Sequence, residues 1–155
     1  MKGKLSMLKK GFTLIELLIV IAIIGILAAV VLIGIDPVDK INAANDSKVQ
    51  RDINALGNAM EAYAATHDGI YPDVSGGDIQ DQLVTTGDLK VKLTAPNGYA
   101  AYTVSGGASG EAHGQVKSKR YVNAAAPGPY QGWSWCSNSG KAGPTATSAN
   151  GQCPN

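Results

Sequence analysis

Residues 9–35 read KKGFTLIELLIVIAIIGILAAVVLIGI, and this stretch decides the fold. From Thr13 to Ile35 there are 23 consecutive residues with a single charge, Glu16. A helix rises about 1.5 Å per residue, so the run covers roughly 34 Å, enough to cross a hydrocarbon core of about 30 Å. Four lysines, Lys2, Lys4, Lys9 and Lys10, precede it, and the positive-inside rule keeps that end cytoplasmic. The 120 residues after Ile35 are mixed, polar and rich in Gly, Ala, Ser, Thr and Asn, so the chain divides into an apolar stalk and a soluble head.

Glu16 separates the readings of this N-terminus. A secretory signal cut near Ala28-Ala29 would need an apolar core about half as long and would tolerate no acid at its start. A plain signal anchor accounts for the length and the lysines but not for the acid. A carboxylate in an apolar span costs a few kcal/mol, so it persists where it has a partner, a task or a route to the interface. Glu16 lies six residues after Lys10, so snorkelling is one such route. Favourable contact with the first-turn NH groups and helix dipole is another.

The words themselves favour a further reading. Lys9-Lys10-Gly11-Phe12-Thr13-Leu14-Ile15-Glu16-Leu17-Leu18, continued by Ile24-Gly25-Ile26-Leu27-Ala28-Ala29, resembles the prepilin peptidase signal of type IV pilins and their pseudopilin relatives. The resemblance implies that a membrane-embedded aspartyl peptidase cuts between Gly11 and Phe12 and that the new amino group of Phe12 is N-methylated. It also implies that Glu16 of one subunit meets the Phe12 amine of a neighbour, neutralising two charges that are expensive in lipid and setting the axial register. The remaining stalk residues make nearly every face of the helix apolar, and such a helix must be buried all round, by lipid first and by other stalks afterwards. Gly25, Ala28 and Ala29 permit close helix approach.

Gly34-Ile35-Asp36-Pro37 interrupts the pattern, because Pro37 has no NH to donate and biases its predecessor away from the α region. It also reads as a restart, with Asp36 as N-cap, Pro37 in the first helical position and Asp39 in the first turn. Many family members carry a proline a few residues earlier, where Ile33 stands here, so the break is displaced. Val49, Ile53, Leu56, Met60 and Tyr63 then recur at helical spacing as one core-facing stripe.

After His67 the chain turns at Asp68-Gly69 and enters a polar loop. Short runs around residues 89–93, 99–104, 115–123 and 130–136 read as strands bounded by Gly, Pro and Asn. The expected fold class is therefore α+β. A long N-terminal helix, apolar then amphipathic and broken near Pro37, packs on a small antiparallel sheet that places Tyr102, Val104, Tyr121 and Val122 against the helix stripe. The expected organisation is a leader at 1–11, a membrane and filament-core helix at 12–35, an amphipathic helix at 36–67 and a β-rich head at 68–155. Ser105 to Gly110 reads as a flexible hairpin connection, and Trp133 and Trp135 share a strand face, used for core packing in preference to an adhesive patch.

Cys136 and Cys153 lie on the side of the span that the charge rule places outside, so a disulfide is the default. It would close a 16-residue loop, worth about 3 kcal/mol, and its position matches the C-terminal disulfide region of many type IV pilins. Asp73, Asp78 and Asp81 offer oxygens to calcium, but three acids fall short of the six or more that calcium takes, so a solvated acidic loop is preferred. Lys117, Lys119 and Arg120 beside Tyr121 suit a single-stranded nucleic acid, although a lysine-guarded edge strand is the stronger reading. His67 and His113 lack ligands at zinc spacing and read as surface residues.

Without the first eleven residues the formal charge falls from +1 to −3, which excludes a generally basic nucleic-acid coat. No nucleophile, base and oxyanion donor assemble, so the chain reads as a peptidase substrate and not an enzyme, with no cofactor. The expected function is a structural subunit of a type IV pilus, its major pilin, with a secretion or competence pseudopilin as the rival and a monomeric membrane-anchored binding module behind it. The expected partners are copies of itself, the prepilin peptidase, an inner-membrane assembly platform and membrane lipid. The expected location is the inner membrane as precursor, then a periplasmic or extracellular filament.

Overall fold

The computed structural model describes residues 11–73, 75, 77–123 and 131–145. The chain falls into two compact units, one ending at Pro37 and one beginning at Val38.

The first unit is helix α1, Leu14–Ile35, 22 residues or about 33 Å long. Thr13, in extended backbone (φ −85°, ψ 150°), caps its start. None of its residues is buried. The helix ends at Asp36, which takes the left-handed conformation (φ 44°, ψ 71°). Helix α2, Pro37–Thr66, begins at the next residue, with Pro37 in the first helical position. Asp36 therefore closes α1 in left-handed backbone at the position directly before the first residue of α2. Short polar side chains tolerate left-handed backbone better than most, which suits Asp to that place.

In the second unit the α2 stripe behaves as its spacing dictates. Val49, Ile53, Leu56 and Met60 are fully buried, and Tyr63 packs against them half-buried. They meet a four-stranded antiparallel sheet in the order β1-β2-β3-β4: β1 Thr103–Ser105, β2 Glu111–Gln115, β3 Gly132–Cys136 and β4 Lys141–Thr145. The register sets Val104 opposite Ala112, Ala112 opposite Trp135 and Trp135 opposite Ala142. This row faces α2 and joins its core. Helix and sheet approach closely because glycine lines the contact: a Cβ at Gly57 would lie 2.6 Å from the Trp135 ring, and one at Gly114 2.6 Å from Val49. Both tryptophans of β3 pack on the core, as expected.

Helix α3, Ile79–Thr86, occupies ground read from sequence as polar loop. Asp78 caps it by accepting from the Gln80 NH (2.8 Å), Gly87 ends it in left-handed backbone, and Ile79 and Leu83 enter the core. The strand expected at 89–93 is absent; Leu89 and Leu93 instead pack onto the core from turns and irregular chain. The run 115–123 holds only the last residue of β2 and then helix α4, Lys119–Val122. Tyr121 is buried there, but Val122 is 40% exposed and is no core residue. β4 and all of β2 but Gln115 fall outside the runs expected to form strands.

Candidate assembly site

The helix start is a closed local hydrogen-bond system. The Thr13 NH donates to Glu16 Oε2 (2.9 Å), the Thr13 hydroxyl donates to the same oxygen (2.7 Å), and the Glu16 NH donates to Thr13 Oγ1 (3.3 Å). This reciprocal capping box satisfies NH groups that the first turn leaves without partners. Its sequence signature, Thr-x-x-Glu, spans Thr13 to Glu16, a local use of the acid more specific than a dipole interaction. Phe12 precedes it, 80% exposed, and a Cβ at Gly11 would meet nothing within 4 Å. Lys2, Lys4, Lys9 and Lys10 lie outside the described residues.

Downstream, every large apolar side chain from Leu14 to Ile35 is exposed, from 45% at Val20 to 85% at Ile33. Among the described residues α1 supplies the stretch long and apolar enough to cross a membrane. Surface of this extent is unsustainable in water; it requires lipid or protein around the whole circumference. Val38 and Ile41, in the first turns of α2, are exposed as well.

The head does not assemble the other candidate sites. Asp78 and Asp81 converge on Lys92 Nζ (3.3 and 2.9 Å), while an Asp73 oxygen accepts from the NH and hydroxyl of Ser75. The acidic loop is thus tied to a lysine and to backbone instead of directing three carboxylates at one point. The Asp78 carboxyl balances opposing effects: burial would raise it, but the Gln80 NH and Lys92 outweigh this and hold it below its ordinary value.

Lys117, Lys119 and Arg120 do not guard an edge strand, because they belong to α4 and the turn before it. Asp46, buried in α2, accepts from the Lys117 NH (2.9 Å), the Ser118 NH (2.8 Å) and the Tyr99 hydroxyl (2.9 Å). Asp39 accepts from the Lys119 NH (2.6 Å), and the Gln50 amide donates to the Tyr121 hydroxyl (2.7 Å). Tyr121 is buried edge-on to Trp133, so it offers no face on which a base could stack.

His113 is not a surface residue; it is 8% exposed in β2, with Nδ1 at 2.6 Å from Ser134 Oγ. His67 is exposed and stacks on Tyr63 with ring centroids 3.8 Å apart. Cys136 ends β3, 2% exposed, and is bonded, not free. Its expected partner, Cys153, lies outside the described residues.

A family model described as the prokaryotic N-terminal methylation motif matches residues 6–32. The chain is 36% identical over 104 residues to the ComG operon protein 3 homolog of Bacillus licheniformis, a match covering 66% of this chain and 98% of that protein. The chain belongs to the type IV pilin and pseudopilin family. The type IV narrow pilus major component PilA5 of Thermus thermophilus is a second such relative, 32% identical over 102 residues, covering 63% of this chain and 88% of its own length. No solved structure matches the chain. Type IV pilins and pseudopilins are structural proteins that assemble with other such subunits into filaments. The motif and the exposed apolar helix fit a membrane-anchored precursor of that kind.

Proposed function

We propose that this chain is the major subunit of a type IV pilus, released from its leader by cleavage after Gly11 and methylated on Phe12. The observation that carries the reading is α1 itself, a 22-residue helix apolar on nearly every face with none of its residues buried. Its cover is lipid before assembly and the α1 helices of other subunits afterwards. Glu16, the one charge in that surface, is assigned to the Phe12 amine of a neighbouring subunit, fixing register more than adding net stability. The prepilin peptidase and an inner-membrane assembly platform are the partners this route requires, and the chain is the peptidase's substrate. Pairing of Cys136 with Cys153 and export of the head to the oxidising side complete the reading.

The second reading is a pseudopilin of a secretion or competence apparatus, favoured by the similarity to a ComG operon protein. Deleting the gene tests the choice. The major-pilin reading predicts loss of surface fibres; a cell that keeps abundant fibres but fails in secretion or in taking up DNA would move the assignment to the pseudopilin.

A further inference from the structure

Between α3 and β1 the chain makes a tight turn at Pro96-Asn97-Gly98-Tyr99. The Tyr99 NH donates to the Pro96 carbonyl (3.0 Å), and Gly98 takes φ +79°. A glycine of positive φ in the third position, with that hydrogen bond, is the type II pattern. The flanks of the turn are held. The Tyr99 hydroxyl donates to the Asp46 carboxylate (2.9 Å) and the Asn42 carbonyl (3.2 Å) of α2, and Lys117 Nζ donates to the Gly98 carbonyl. Its central peptide is not held. Among the described residues the Asn97 carbonyl, the Gly98 NH and the Asn97 side-chain amide make no hydrogen bond, and both residues are exposed. That peptide can therefore turn over without breaking a bond, and Gly98 has no side chain to obstruct it.

We propose that Asn97 is a self-modification site, converting to aspartate and isoaspartate in the folded head. The Gly98 nitrogen gives its proton to a solvent base and bonds to Asn97 Cγ. The Cγ–Nδ2 bond breaks, and the side-chain nitrogen takes up a proton and leaves as ammonia, so a five-membered succinimide remains. Water then opens the ring. Cleavage at Cγ gives aspartate on an unchanged backbone; cleavage at the Asn97 main-chain carbonyl gives isoaspartate, whose backbone runs through Cβ and Cγ. Asn97-Gly98 is one of three steps in the chain where Asn or Asp precedes Gly. At Asp68-Gly69 the Gly69 NH donates to the Ala64 carbonyl (2.9 Å), which holds that nucleophile at the end of α2. Asn150-Gly151 lies outside the described residues.

The two products differ in consequence. Aspartate leaves the turn intact and adds a carboxylate to a loop that already holds the Lys117 ammonium. Isoaspartate lengthens the main chain between Pro96 and Tyr99, so the turn hydrogen bond and the seat of Tyr99 on Asp46 cannot both be kept. The reaction needs only water and is irreversible, so the converted fraction records the time since the head folded. It concerns the head alone and holds for a pilin and a pseudopilin alike.

The test is ageing of the purified full-length chain in mildly alkaline buffer, native and in urea, followed by tryptic mass mapping. The peptide from Leu93 to Lys117 carries Asn97 as its one asparagine. Conversion there should show as the mass gain of an amide-to-acid exchange, split into aspartate and isoaspartate forms. Its rate in the native chain should lie within about twofold of that in urea, because no local opening is required. Isomerisation at Asp68 should be slower native than in urea. N97Q should fold and gain no mass in this peptide. N97D should keep the urea midpoint of fresh protein, and the isoaspartate fraction should show a lower one. An Asn97 that stays amidated in the native chain while it converts in urea would overturn the inference, as would an isoaspartate fraction as stable as fresh protein.

Discussion

Glu16 has one carboxylate and two demands on it, since it closes the capping box with Thr13 and is also assigned to a neighbour's amine. Gln at the same position keeps the box, because an amide oxygen can still accept from the Thr13 NH, but it carries no charge. Ala loses both. If charge pairing drives docking, Glu16→Gln and Glu16→Ala should insert and be cleaved normally and should both fail to assemble, as read by fibre yield against membrane pool. Normal fibres from Glu16→Gln would reduce the acid to a cap. A second residue-scale prediction concerns Gly57. A Cβ there meets the Trp135 ring at 2.6 Å, so Gly57→Ala should destabilise the head by about 1–3 kcal/mol in urea titration, despite alanine's better helix propensity. At this scale Thr-x-x-Glu was legible in the sequence as a capping signature; the need for glycine at 57 depends on a strand far along the chain and had no local sign.

Among the elements, Asp46 ties α4 to α2. Asp46→Ala would remove the acceptor of the Lys117 NH and of the buried Ser118 NH and leave the Tyr99 hydroxyl only the Asn42 carbonyl, at a cost of about 2–4 kcal/mol, with faster amide exchange at Lys117 and Ser118 as the specific sign. Tyr99 and Tyr102 give the head an alkaline limit. Burial first, and then the carboxylates of Asp46 and Asp52 that accept from them, hold both phenols well above the ordinary value of 10.0. Unfolded tyrosines ionise near pH 10 and the folded ones do not, so this stabilisation is intact below about pH 10 and is lost as pH rises past it. The urea midpoint should fall between about pH 9 and about pH 11, and by less in Tyr99→Phe with Tyr102→Phe.

The α2 stripe was legible because five apolar residues repeat at helical spacing in a polar sequence. β2 was not, because Glu-Ala-His-Gly-Gln has little strand propensity; it is held by neighbours on both sides and must be small where α2 comes close. α3 carried its signals, Asp78 before and Gly87 after, but eight residues hold too few apolar positions to show a period. The basic run at 117–120 read as an edge strand because Asp46, which folds it back, lies 71 residues away in sequence.

Across the whole molecule the division of labour follows the distribution of surface. α1 exposes apolar side chains all round, and the second unit closes a core of its own around Val49, Ile53, Leu56 and Met60. An apolar helix of this kind gives adhesion without direction; the proposed pairing of Glu16 with a neighbour's amine would supply it. The measurement that bears most directly on this account is the intact mass of the bulk protein in filaments sheared from cells. The account predicts this chain, beginning at a methylated Phe12. Fibres built from another protein, or this chain retaining its first eleven residues or cut elsewhere, would contradict it.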